Sequence, residues 1–192
     1  VKSAPPTRVP AVAEVVATFR DALAEPARPA PNGVIGLLLG LHENNALQWD
    51  REDAARRDHA DDHAVAAAKR DIDVLNAKRH DFVEAIDAAL VAAIDQSPSA
   101  PPTTESPGMV FDRLSVLVIR ITCTEDAART APGERDLYAA RLPVLHAQLA
   151  SLQVALEALI DDVRAGRKRF VPYQSLKLYG APASHEGDTR RD

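Results

Sequence analysis

The sequence predicts an all-α protein, a helical bundle of five or six helices around a polar centre. Three observations predict it. The chain is rich in Ala, Arg, Asp and Leu, with only 8 Gly and 4% aromatic residues, a balance that favours helices and fits pleated sheets poorly. Apolar residues recur at spacings of three and four in five separate stretches, the signature of a helix with one face in a core. Proline-rich or cap-rich segments separate those stretches where helices would start and stop.

The elements follow in order. Residues 1–31 read as a Pro-rich arm with one short helix, whose stripe is Val12, Val15, Val16, Phe19 and Leu23. Prolines 26, 29 and 31 end it. Asn32 offers an N-cap for a second helix over Gly33–Asp58, and Gly36 and Gly40 on it leave room for a neighbour to approach. Asp61 or Asp62 can cap a third helix over His63–Asp95. The short link makes the second and third helices antiparallel neighbours. The stretch QSPSAPPTTESPG, 96–108, reads as a loop within one domain. Ser106-Pro107 then starts a fourth helix to Arg129. The last long helix carries Leu145, Leu149, Leu152, Leu156, Leu159 and Val163 and stops at Gly166, and Pro143 in its N-terminal region either starts the helix proper or kinks it. No heptad array stands out along the chain. Residues 32–180 are expected to form one helical domain and 181–192 a disordered tail.

Bulk properties limit the function. The 23 basic and 28 acidic residues give a net charge of −5, which argues against a general nucleic-acid binder. Cys123 is the single cysteine, so neither an internal disulfide nor a thiolate metal site is expected. The longest apolar run, Val34 to Leu41, falls far short of the roughly 20 residues of a membrane span. These features fit a cytoplasmic protein without a membrane span.

Polar residues carry the chemistry. Along the second helix His42, Asn45, Trp49, Glu52 and Arg56 share one side, with Asp53 at its edge. On the third, Lys69, Asn76 and Arg79 lie on the otherwise apolar face, and on the fourth Asp112 and Ser115 share a face with Val116, Ile119 and Cys123. Burying an unpaired charge costs several kcal/mol, so such groups must pair with each other or bind a ligand. Two readings follow: a closed network that sets helix register, or a pocket. In a pocket, Arg56, Arg79 and Lys69 suit phosphate or carboxylate. Asn45 and Asn76 suit hydroxyls, Trp49 offers a flat face, and Asp53 and Asp112 are further candidates for the ligand site. His42 with Glu52 would be the acid/base pair if chemistry occurs. Ser115 reads as a small residue that lets helices pack. No metal ligand is assigned, although Glu52, Asp53, Asp73, Glu84 and Asp87 recur at spacings seen in all-helical nucleotide pyrophosphohydrolases that hold magnesium. The last three are expected toward solvent. His59 and His63 are four apart but straddle a turn. The stretch 163–180 interleaves basic residues with Phe170, Tyr173 and Tyr179, as a cover for the core or a flap over the polar centre.

Four blocks carry a resemblance: LHENNALQWDREDAARR from Leu41, KRDIDVLNAKRHDFVEAIDAAL from Lys69, SPGMVFDRLSVLVIRI from Ser106 and RKRFVPYQSLKLYG from Arg167. Together they resemble an uncharacterised bacterial family, domain of unknown function 4254. The chain departs from the family pattern at His80, where the family usually has Asn, and after Tyr179, where it usually has Asn-Asp-Pro. The resemblance implies a setting near genes of surface-glycan synthesis and no settled activity or cofactor. The expected function is binding, or acting on, a phosphorylated sugar or nucleotide-sugar as an anionic small-molecule ligand. The alternatives are a non-catalytic helical partner of glycan-synthesis enzymes and a magnesium-dependent all-helical nucleotide pyrophosphohydrolase, and the expected protein partner is a second copy in a homodimer or a glycan-synthesis enzyme.

Overall fold

A computed structural model describes residues 8–25, 31–56, 62–131 and 133–176. The expected all-α class is what forms. The five helices are α1 (Val12–Ala24), α2 (Val34–Ala55), α3 (Asp62–Ala93), α4 (Pro107–Thr130) and α5 (Arg135–Arg164). Two long antiparallel hairpins, α2–α3 and α4–α5, provide the most extensive packing, and α1 lies against α2, α4 and α5. The core joins Phe19 of α1, Leu38 and Leu41 of α2, Ile86 and Leu90 of α3, Phe111, Leu114 and Ile121 of α4, and Leu156 of α5. The first helix is therefore part of the same core as the residues that follow the proline segment.

Local chemistry explains the ends. Ser106 caps α4 by accepting from the Met109 amide, and Pro107 takes the first turn, where its missing N–H costs nothing. At α2 the expected Asn32 cap does not form. Gly33 occupies the N-cap with φ of 77°, a conformation only glycine adopts without strain, and makes no side-chain cap bond. Gly40 does admit a neighbour: a Cβ there would lie 2.7 Å from the Phe82 ring of α3. α5 begins at Arg135, so Pro143 lies inside it rather than starting it. Residues 57–61, with His59, and 177–192, with the expected tail, fall outside the described residues.

After α5 the chain turns at Gly166 (φ 68°) and runs back along α3 as a strap. It pairs first with the interhelical loop, through Arg169 N–H to the Pro101 carbonyl and Thr103 N–H to the Arg169 carbonyl. Side chains of α3 and of the residues just past it then receive its amides in turn: Phe170 N–H donates to Gln96 Oε1 at 2.8 Å, Tyr173 N–H to Asp87 Oδ2 at 2.9 Å, and Ser175 N–H to Glu84 Oε1. The Phe170 ring fills the core at 3% exposure.

The helix α5 adds one fact that unbroken apolar runs do not reveal. Among the described residues it is long and apolar enough to cross a membrane by length and composition. It packs on α4, burying Leu149, Leu156, Ile160 and Val163.

Candidate functional site

The polar stripe of α2 passes through two environments. His42 and Asn45 are 0% and 4% exposed, Trp49 is half-buried, and Arg56 stands in solvent. The first half of α2 lies between α1, α3 and α4, while its second half emerges from the bundle. The single converging pocket expected from the stripe therefore divides into an interior network and a surface cleft.

The interior network centres on Ser115 and Asp112 of α4. Ser115 Oγ lies 2.9 Å from His42 Nδ1 and accepts from Asn45 Nδ2 at 3.1 Å. The serine hydroxyl donates to Nδ1 or accepts from it according to the tautomer of the ring. Asn45 also donates to Asp112 Oδ1 at 2.9 Å. From α3, Arg79 grips the same carboxylate, with Nε 3.0 Å from both oxygens and Nη2 2.8 Å from Oδ2. Three helices are thus held in register by one chain of bonds. Nearby, Asn44 donates to the Leu75 carbonyl at 3.0 Å, a further α2–α3 tie.

The network is poorly placed for acid/base catalysis. The His42 ring is stacked on Phe19 with centroids 4.2 Å apart. Burial pushes its pKa down to about 4, opposed only in part by the Phe19 main chain, so the ring is neutral at pH 7. Its expected partner Glu52 lies ten residues along the same helix, roughly 15 Å away at 1.5 Å per residue. Glu52 instead accepts from Gln48 and pairs with Arg56 at 3.0 Å at the surface. The acid/base pairing is corrected on that ground. Ser115 is likewise sealed at 0% exposure, and Asp112 is committed to Arg79, so the three do not form an accessible nucleophile.

Other sequence candidates stand apart from the network. Lys69 and Arg56 are exposed, and Asn76 is half-buried. Asp87, expected toward solvent, is 0% exposed, whereas Asp73 is exposed as expected. Asp87 accepts the Gly108 amide at 2.8 Å as well as that of Tyr173, and burial raises its pKa. Among the described residues no group of three His, Cys, Asp or Glu is placed to hold a metal ion.

The cleft lies where α2, α4 and α5 meet. Trp49 and Asp53 line it from α2, Arg120, Cys123 and Thr124 from α4, and Tyr138, Arg141 and Val144 from α5, around about 650 Å³. Each aromatic ring carries a guanidinium: Arg120 lies 6.0 Å from the Trp49 centroid and Arg141 5.2 Å from that of Tyr138. The cleft runs on, past the shared Arg120 and Val144, into a groove of about 860 Å³ that reaches Arg113, Asp112 and Arg79. The thiol of Cys123 is held protonated, its pKa raised by desolvation and then by the charges of Asp53, Asp126 and Asp50. A smaller pocket of about 190 Å³ lies beyond, where Tyr173 of the strap bonds His80 Nδ1 at 2.8 Å beside Arg79 and Arg113. The C-terminal aromatic stretch therefore both covers the core and borders the polar centre.

Arg120, Tyr138 and Arg141 escaped the sequence reading. Arg120 interrupts a nearly all-apolar helix, and that interruption was the available signal. Tyr138 and Arg141 precede the leucine stripe of α5, where nothing local tells them from a solvated first turn.

No curated protein and no solved structure matches the chain. A family model does, over residues 36–171, a span holding the interior network, Trp49, Arg120, Arg141 and the start of the strap. The chain belongs to that family, described as a protein of unknown function (DUF4254).

Proposed function

We propose that the cleft between α2, α4 and α5 binds a phosphorylated, sugar-like metabolite, and that the interior network, which ties α2 and α3 to α4, sets the α2–α4 spacing on one side of it. The observation that supports this reading is the pair of guanidinium-capped rings, Arg120 on Trp49 and Arg141 on Tyr138, lining one cavity. Neither arginine is in an ion pair among the described residues. A guanidinium resting on a ring face keeps its N–H edge free for phosphate oxygens. Ring faces suit sugar or base, and Asp53 and Thr124 supply acceptors and a hydroxyl for sugar oxygens. Arg79 is a weaker anion ligand than Arg120, because its Nε and Nη2 are already bonded to Asp112. Surface-glycan synthesis is the setting proposed for the ligand, on the resemblance drawn from the sequence.

The test is calorimetric titration with nucleotide-sugars and sugar 1-phosphates, with and without magnesium. Binding that weakens at least about tenfold in Arg120→Ala and in Trp49→Ala, each still helical, and is unchanged in Lys69→Ala, is the expected outcome. Absence of binding by every compound, or equal affinity in Arg120→Ala, removes the proposal. Magnesium-dependent release of pyrophosphate replaces it with hydrolysis.

A further inference from the structure

α5 carries two apolar seams, one on each side. The first, Leu145, Leu149, Leu152, Leu156, Leu159 and Val163, faces the core. The second is Leu137, Ala140, Val144, Ala147, Ser151, Val154 and Ala158, with alternating spacings of three and four. All seven are exposed, Leu137 by 52%, Val144 by 59% and Val154 by 68%. At 100° per residue the second seam is centred about 130° around the helix from the first, and its Ala140, Val144, Ala147 and Ser151 also border the cleft and its continuation. Seven-residue periodicity is the pattern one helix presents to another helix. A helix apolar on both sides is one covered on both sides.

We infer that this outer seam pairs with the same seam of a second copy, antiparallel, about a two-fold axis opposite Leu149. Antiparallel coiled packing sets each first-position residue against a fourth-position residue of the other helix. In this register Val144 meets the partner subunit's Val154, Ala147 meets the partner subunit's Ser151, and Ala140 meets the partner subunit's Ala158. The surface is therefore self-complementary, as a two-fold interface requires. Charges agree with it. Asp136 and Arg164 flank the seam on one side at opposite ends, and the antiparallel register brings Asp136 beside the partner subunit's Arg164, twice, where Arg164 also pairs with Asp161 of its own helix. On the other side Glu134 meets the partner subunit's Asp162, whose charge Arg167 and Lys168 of its own chain offset. Opposed helix dipoles favour the same orientation. Gln148 flanks the axis, facing its own copy.

The seam spans about 32 Å, and a helix pair of that length and about 10 Å width buries on the order of 1,000 Å² in total, the lower bound for a specific interface. A bilayer is the poorer occupant. Interfacial membrane helices carry large apolar residues rimmed by Lys and Arg, whereas this seam is mostly Ala, Ser and Val. The net charge of −5 also opposes anionic lipid.

Sedimentation equilibrium of the whole chain tests the inference independently of any ligand. The wild type is expected to be dimeric at tens of micromolar. Val154→Glu, at a position already exposed, is expected to weaken the dimer at least about tenfold, with far-ultraviolet dichroism unchanged. Asp136→Arg is expected to weaken it, and Asp136→Arg with Arg164→Asp to restore it. In a Cys123→Ser background, Gln148→Cys is expected to form a disulfide-linked dimer on oxidation, which a parallel pair would not do. Should Val154→Glu not fold, the charge swap and the cross-link decide. A chain that stays monomeric overturns the inference, as does a dimer that both Val154→Glu and Asp136→Arg leave intact. Co-flotation with vesicles of phosphatidylcholine and phosphatidylglycerol, abolished by Val154→Glu, overturns it in favour of a membrane surface.

Discussion

Two side chains set the residue scale. His42 is neutral in the folded protein because water is excluded around it, and its pKa falls from 6.5 to about 4. A base whose folded pKa is depressed lets the unfolded chain bind the proton first. Its contribution to stability is therefore complete above about pH 6.5 and is lost as pH falls toward 4, by up to about 3 kcal/mol. Asp87, with a raised pKa, has the opposite sign, costing stability as pH rises through its titration. Urea unfolding of wild type and His42→Phe across pH 4 to 7 separates them, because the Asp87 term cancels in the difference. A difference independent of pH would mean that His42 protonates without cost. Arg79 poses the converse case. Asp112 is 8% exposed on its side chain, so removing the guanidinium strands a carboxylate with Asn45 and little water. Arg79→Met is expected to cost about 3 kcal/mol, and the further change Asp112→Leu to recover part of it, as measured by chemical denaturation.

At the scale of elements, the strap shows how a segment without regular structure is held. Its amides donate to Gln96, just past α3, and then to Asp87 and Glu84 of α3, so these side chains supply the acceptors a sheet would otherwise provide. Asp87 does double duty, since it also takes the Gly108 amide at the start of α4. A methyl group at Gly108 would lie 2.7 Å from that carboxylate, which explains a glycine in the first turn of a helix. Asp87→Ala leaves the buried Gly108 N–H and the part-buried Tyr173 N–H without acceptors. The expected cost is about 2–4 kcal/mol, with faster amide exchange at Phe170 and Tyr173 than in α2, read by hydrogen-exchange mass spectrometry. Unchanged exchange across the strap would place its anchorage in Phe170 packing instead.

At the scale of the whole molecule, the cleft belongs to no single hairpin. Trp49 comes from the first hairpin, Arg120, Tyr138 and Arg141 from the second, and their spacing depends on the Asn45–Asp112–Arg79 bridge between the two. The proposed ligand and the proposed second copy meet at α5, where the seam residues Ala140 and Val144 line the cleft and Val144, Ala147 and Ser151 line its continuation. Ligand affinity and oligomeric mass are nonetheless separate readouts, because Val154 lines neither cavity.

The sequence by itself determined the class and the order of elements, since 3.6-residue periodicity and the caps at Ser106 and Gly166 are properties of neighbours along the chain. It also marked His42, Asn45, Arg79 and Asp112, because a polar group on an apolar face stands out whatever it bonds to. Only the tertiary structure decided the partners. Whether Glu52 meets His42 or Arg56 depends on where α2 leaves the bundle, and no local pattern encodes that. Asp87 was legible as a carboxylate on a helix but not as a buried one, since the strap that covers it arrives from 86 residues away. The outer seam of α5 was hidden for a related reason: a stripe of Ala, Ser and Val is a weak signal beside six leucine-type residues, and only the exposure of the folded helix separates the two faces.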